Sequence, residues 1–239
     1  MAKRRKRPFG RLWRALVLAV LAWAAVTVAS VVAMRWIDPP ATAFMLRDRA
    51  IALVTAEKDY QFRHEWRDWD QISRYAALAV VAAEDQRFLQ HNGFDFKQID
   101  KALADRERGR RMRGASTISQ QVAKNLFLWP GQSWFRKGLE AGITVLIELA
   151  WPKQRILEVH LNVAEFGRGT WGIQAASRRY FRKDAAKLTR AEAALLAAVL
   201  PSPRRFRADA PSAYVRKRQA WIERQMVALG GKSYLAAID

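Results

Sequence analysis

The segment SRYAALAVVAAEDQRFLQHNG, residues 73–93, decides how this chain folds. Ser73 offers the hydroxyl of an N-cap, and Ala76 to Ala83 follow without a single polar residue. A helix apolar on every side belongs in the interior of a domain. The spacing predicts a helix from Ser73 to about Leu89, with His91-Asn92-Gly93 as its stop. Near its end stand two adjacent carboxylates, Glu84 and Asp85. The negative end of the helix dipole and buried apolar neighbours both disfavour an anion, so Glu84 is expected to be more basic than a free carboxylate. That is the property a general base needs. An ordinary solvated helix end with an incidental Glu-Asp pair fits the same residues.

Upstream, ALVLAVLAWAAVTVASVVAM (15–34) is twenty residues without charge. As a helix it spans roughly 30 Å, the thickness of a bilayer's hydrocarbon core. Seven positive charges precede it: Lys3, Arg4, Arg5, Lys6, Arg7, Arg11 and Arg14. The positive-inside rule then keeps the N-terminus in the cytoplasm and puts everything after Arg35 outside. Trp13 and Trp36 bracket the span at interfacial positions, and Asp38-Pro39-Pro40 ends it. The expectation is an uncleaved, single-pass anchor in the cytoplasmic (inner) membrane, with a periplasmic domain.

The formal net charge of +20 over 239 residues implies an anionic partner. With seven of the charges on the cytoplasmic side, the remainder faces lipid headgroups and cell-wall precursors rather than nucleic acid. Cysteine is absent and only His64, His91 and His160 are present, which excludes disulfides and thiolate metal sites and leaves too few ligands for a His-rich one.

Beyond the span, 41–58 reads as a juxtamembrane helix and YQFRHEW (60–66) as a short extended piece. An Arg-rich stretch, 106–113, leads into GASTISQQVAKNLF (114–127). There Gly114 permits a sharp entry, Thr117 and Gln120 stand at capping-box spacing, and Ile118, Val122 and Leu126 make one core face. Helices follow at 134–150, with Leu139, Ile143 and Ile147 inward, and at 153–163. FGRGTWG (166–172) reads as a Gly-rich loop and GIQAASRRYF as helix. Thr189 and Glu192 cap another helix that Pro201 ends, and the last helix runs from about Pro211 to Leu229. Without βαβ alternation or repeats, the fold class is all-α.

Two further constellations carry charge. In WFRKGLEAG, Arg136 and Lys137 lie four and three residues before Glu140, so the three side chains converge on one helix face. Two cations steadied by a carboxylate suit a phosphate clamp; a plain surface ion-pair set has the same spacing. In GASTISQQVAKN, a helix N-terminus with Ser116 and Thr117 offers N–H groups to an anion, and Gln121 and Lys124 lie beyond. A routine cap would look alike.

Taken in order, EDxxFxxHxG (84–93), GxSTxxQQ (114–121), RKxxE (136–140) and KxxILExxLN (153–162) resemble the motif series of the peptidoglycan glycosyltransferases, glycosyltransferase family 51. GIQAASRRYFRK (172–183) is similar to a fifth segment of that family, and the resemblance covers roughly 60–207. One anchor and one catalytic domain look like the family's monofunctional branch. Two positions depart from the pattern: Ser119 stands where Thr is common, and His160 where Tyr is usual.

The resemblance implies a lysozyme-like glycosyltransferase domain with a small membrane-proximal lobe. Its organisation would be a basic tail (1–14), a span (15–36), a juxtamembrane segment (37–59), the catalytic domain (60–208) and a C-terminal helix (209–239). It implies polymerisation of lipid II into β-1,4 glycan with release of polyprenyl pyrophosphate. Glu84 would be the base and Glu140 the second essential carboxylate. Asp85, Ser116, Thr117, Gln121, Lys124, Arg136 and Lys137 would contact substrate, with Asp85 also supporting Glu84. No cofactor is obligatory, and a divalent cation (Mg2+ or Mn2+) would at most assist at the pyrophosphate. Partners would be lipid II, the growing lipid-linked glycan, membrane lipids and other cell-wall synthesis proteins. A lytic glycosidase and a non-catalytic, membrane-tethered polymer-binding module are the competing readings. NLFLWPGQSWF (125–135) is expected to dip into the outer leaflet beside the cleft through Leu128 and Trp129.

Overall fold

A computed structural model describes residues 8–109, 116–131 and 133–238. It begins with the long apolar helix α1 (Pro8–Ala33), of which Gly10–Ala33 is long and apolar enough to cross a membrane and only 11% buried. A short helix, α2 (Ala43–Val54), and a strand, β1 (Arg63–His64), lead to the central helix α3 (Arg74–Glu84). Then come α4 (Phe96–Glu107), α5 (Ile118–Phe127), α6 (Trp134–Ala150) and α7 (Lys153–Val163). The strands β2 (Glu165–Gly167) and β3 (Thr170–Trp171) precede α8 (Ile173–Phe181), α9 (Arg190–Val199) and α10 (Ala213–Ala228).

α3 is the hub. Ala76 through Ala82 are at most 1% exposed, because α7, α9 and α10 enclose the helix. Small alanines on three sides let those neighbours approach closely, while Leu78, Val80 and Val81 fill the gaps. α5 packs between α6 and α7 in a second layer, through the expected face of Ile118, Val122 and Leu126. The capping boxes at Thr117/Gln120 and Thr189/Glu192 are both formed.

Two expectations need correction. The helix expected to reach Leu89 stops at Glu84, since Asp85 leaves the helical conformation (φ −158, ψ 75) and its side chain reaches partners elsewhere. A separate 3-10 turn, Phe88–Gln90, then drops Phe88 into the core. Gly93 ends this turn at φ +86, where a Cβ would stand 2.7 Å from Thr144 Cγ2; the stop is a matter of space as well as of conformation. The segment expected as a Gly-rich loop is instead an irregular β2–β3 hairpin, and β1 pairs parallel to β3. Strand segments of two or three residues are too short to show alternation in the sequence.

The membrane helix is latched to this body. Its C-terminal carbonyls, which no intrahelical N–H can satisfy, are taken up from the α6–α7 corner. Trp151 Nε1–H donates to Val31 O (2.7 Å), Arg155 donates to Met34 O and Ile37 O (both 3.0 Å), and Arg35 returns a bond to Ala150 O (2.8 Å). Arg155 also pairs with Asp38 at 2.9 Å and Glu158 at 2.8 Å. α2 is fastened separately through the buried Asp48, which receives Tyr60, Arg168 and Arg204. On the outside, Trp129, Trp134, Phe135, Val145 and Leu149 are exposed, whereas Leu128 is a core residue at 1% exposure. Leu128 therefore cannot be the membrane-dipping residue expected of it; the apolar surface belongs to Trp129 and to α6.

Arg155→Met preserves much of the side-chain bulk but removes the cationic partner of Glu158 and Asp38 and the donor to the Met34 and Ile37 carbonyls. The expected cost is about 3 kcal/mol, read as a fall of roughly 10 °C in melting temperature in detergent. An unchanged melting temperature would show that the latch does not hold the anchor to the domain.

Candidate active site

Glu84 ends α3 with its side chain 15% exposed. Gln121 Nε2–H, from α5, donates to its Oε2 at 2.9 Å, and Arg218 Nη2, from α10, lies 3.4 Å from Oε1. Burial raises the Glu84 pKa above the ordinary carboxylate value. Gln121, Arg218 and Lys124 oppose that rise without cancelling it, and neighbouring Asp85 adds to it. The carboxylate opens onto a cleft of about 280 Å³ whose walls include Ser116, Thr117, Gln98 and Trp221.

The residues around Glu84 divide into those facing the cleft and those that hold it open. Asp85 belongs to the second group. Its two oxygens accept from His91 Nε2–H (2.9 and 3.2 Å), and Oδ2 also accepts the Ile118 N–H at the start of α5 (3.1 Å). It thus joins the end of α3 to the beginning of α5 and makes no hydrogen bond to Glu84; its influence on Glu84 is that of a neighbouring negative charge. Thr117 is likewise engaged, donating to Gly93 O (2.7 Å) and accepting from Gln120 N–H (3.3 Å). Ser116 is exposed at the cleft. The Arg-rich approach and Gly114, at 110–115, lie outside the described residues.

The second cluster lies on α6. Glu140, 3% exposed, is held by Arg136 Nη1 at 2.8 Å and by Lys137 Nζ. Lys124 of α5 feels Glu140, Arg136 and Lys137 on one side and Glu84 on the other. Burial first, then the repulsion of Arg136 and Lys137, lowers its pKa, with Glu140 resisting. Lys124 is therefore the charge that joins the two clusters. Three cations stand against one carboxylate, an excess that invites a multiply charged anion.

A divalent metal has a poor claim here. Glu140 already has two cationic partners. Among the described residues, Asp85, His91 and Asp95 also have ligand geometry, but the protein's own donors fill them: Arg87 (2.7 Å) and Gln98 N–H (3.2 Å) occupy Asp95, and His91 occupies Asp85. These residues do not fit a metal ion without breaking an ion pair.

The KxxILExxLN residues do structural work. Lys153 Nζ holds His91 O (2.6 Å) and Glu148 (2.9 Å), and Glu148 accepts from Ser119. Glu158 accepts from Trp69 N–H (2.8 Å), and Asn162 exchanges two bonds with the backbone of Arg67 (2.8 and 2.9 Å). Sequence reasoning missed Arg218, which lies beyond the boundary drawn at residue 208. The signal was the Val215, Ile222, Met226 stripe, all at most 1% exposed, which marks α10 as a core helix rather than an appendage.

A family model described as Transglycosylase matches residues 51–227. Proteins called biosynthetic peptidoglycan transglycosylase are close in sequence throughout. The one from Xanthomonas campestris pv. campestris is 55% identical over 227 residues, covering 95% of this chain and 92% of that protein. One from Klebsiella oxytoca is 56% identical over 229 residues, covering 95% of each. One from Pseudomonas putida is 53% identical over 228 residues, covering 95% and 96%. With a family match over most of its length and relatives above half identity from end to end, the chain belongs to the transglycosylase family.

Proposed function

We propose that the protein is a peptidoglycan glycosyltransferase that polymerises lipid II, with Glu84 as general base. The observation that carries the reading is the pairing of a largely buried carboxylate of raised pKa with the cations Arg136 and Lys137, bridged by a third, Lys124. Glu84 takes the proton from the 4-hydroxyl of the incoming lipid II. That oxygen attacks the anomeric carbon of the lipid-linked donor from the face opposite the leaving group. The new bond is β-1,4, the configuration inverts, and polyprenyl pyrophosphate departs. Charge grows on the pyrophosphate as the old bond breaks. Cations already in place at Arg136, Lys137 and Lys124 favour that state over the bound substrate. Glu140 keeps the cluster in position, while Ser116, exposed at the cleft, offers a polar contact. Asp85, Thr117 and Gln121, which the sequence offers as substrate contacts, act as supports, since their side chains are committed inside the protein. These cations make a metal ion dispensable.

Anchorage follows the same reading. α1 crosses the cytoplasmic membrane with its N-terminus inside, and the catalytic body, with α10 counted in it, sits at the periplasmic surface. Trp129, Trp134 and Phe135 rest in the outer leaflet, close to where a polyprenol tail would emerge. A glycosidase is less well supported. It needs a second carboxylate free to act across the cleft, and Asp85, Asp95 and Glu140 are each bound to donors or cations.

Glu84→Gln should lower lipid II polymerisation at least 100-fold, followed with labelled lipid II and a muramidase digest of the product. Polymerisation at the parent rate would refute the base assignment. Because the folded-state pKa of Glu84 is raised, its ionised form opposes folding as pH climbs through that value. The same variant should therefore melt higher than the parent at neutral pH, and a lower melting temperature would contradict the burial cost. Lys137→Met, at a half-exposed cation, should reduce kcat by about 10²-fold with little change in melting temperature. For the membrane contact, the absence of native cysteine makes Phe135→Cys a single labelling site. A bimane there should be quenched by a lipid-soluble nitroxide and shielded from a water-soluble one; the reverse would place α6 in water.

A further inference from the structure

We propose that His160 is a positioning residue for Glu84: its imidazole holds the Gln121 carboxamide so that the amide N–H, and not the amide oxygen, faces the base. This rests on the reading of Glu84 as general base. His160 lies on α7, fully buried, with Nε2 3.1 Å from Gln121 Oε1. The other end of the same amide, Nε2, is 2.9 Å from Glu84 Oε2. A carboxamide has one accepting and one donating end. An ionised Glu84 can only accept, so the donating end must face it, and the accepting end then needs a donor of its own. His160 supplies one only if its proton sits on Nε2.

The rest of its surroundings agree. His160 Nδ1 is buried without a hydrogen-bond partner, so Nε2 is the ring nitrogen that has one. Burial, with the charge of Lys124 behind it, pushes the His160 pKa down to about 4. The ring is therefore held toward its neutral form, in which one nitrogen donates and the other does not. The charges facing Glu84 itself come from three places: Lys124 on α5, Arg218 on α10 and Asp85 next in the chain. None of them touches the amide oxygen of Gln121, so none substitutes for His160. A buried nitrogen left unpaired costs stability, and an apolar side chain would avoid that cost. What His160 provides in return is the orientation of the amide.

Without a donor at position 160, the amide can turn over and present its oxygen to Glu84, which favours the protonated acid. The experiment measures initial rates of lipid II polymerisation by the full-length protein in detergent, from acidic to mildly alkaline pH. His160→Phe keeps a planar ring and removes both nitrogens. Its acid limb should move up by about one pH unit, a tenfold loss at a fixed pH on the limb, with the alkaline plateau kept. Gln121→Met should give the same shift, and the double variant should shift no further. His160→Gln, which restores an N–H near the Nε2 position, should return the parent profile even if the Phe variant folds poorly. An unshifted limb, an equal loss at every pH, or a shift in the Gln variant as large as in the Phe variant would overturn the proposal. Glu84→Gln separates the two levels of the argument. If it is inactive while His160→Phe leaves the limb in place, only the role of His160 falls. If it polymerises normally, the base assignment itself falls.

Discussion

The arrangement depends on the cost of keeping one carboxylate out of water. Glu84 ends a helix whose other faces are filled by α7, α9 and α10, and that burial raises its pKa. Left alone, such a group would simply hold its proton. Gln121, Arg218 and Lys124 restrain the shift from three directions without abolishing it. The result is a carboxylate of raised pKa at the end of α3, contacted from α5 by Gln121 and from α10 by Arg218.

The cation cluster on α6 follows from the same geometry. Lys124 belongs to the α5 that also carries Gln121, so one helix reaches both Glu84 and the Arg136–Lys137–Glu140 cluster. Asp85 and Thr117 fix where that helix begins, one by accepting the Ile118 N–H and the other by tying to Gly93. Lys153 then holds the intervening turn through His91 O. Asp85 and Thr117, expected from the sequence to contact substrate, are thus tied into the framework of the site. A displacement of α5 would disturb both halves of the site at once, which explains why so many polar side chains are spent on its N-terminus.

Much of this was legible in the sequence because it is local. The α5 and α9 caps, the core face of α5 and the Arg136–Lys137–Glu140 cluster follow from three- and four-residue spacings that any helix imposes. What escaped is non-local. The early end of α3 depends on partners of Asp85 that are six and thirty-three residues away. The hairpin at 165–171 depends on a strand a hundred residues earlier. Arg218 reaches Glu84 from 134 positions downstream. Leu128, placed at the membrane by its apolar neighbours, turned out to be core, since composition does not say which side of a loop faces inward. Position 160 could be recognised as unusual in the sequence, but its bond to Gln121 could not.

On the proposed function, Glu84 titrates above an ordinary glutamate and is the group whose ionisation governs the reaction. Carboxyl-13C NMR of the glutamate-labelled protein in detergent, compared between the parent and Glu84→Gln, tests it most directly. The account predicts a raised titration in the parent that disappears in the variant and coincides with the acid limb of the polymerisation rate. If the signal lost in the variant titrates like a free carboxylate, or titrates away from that limb, the account is wrong.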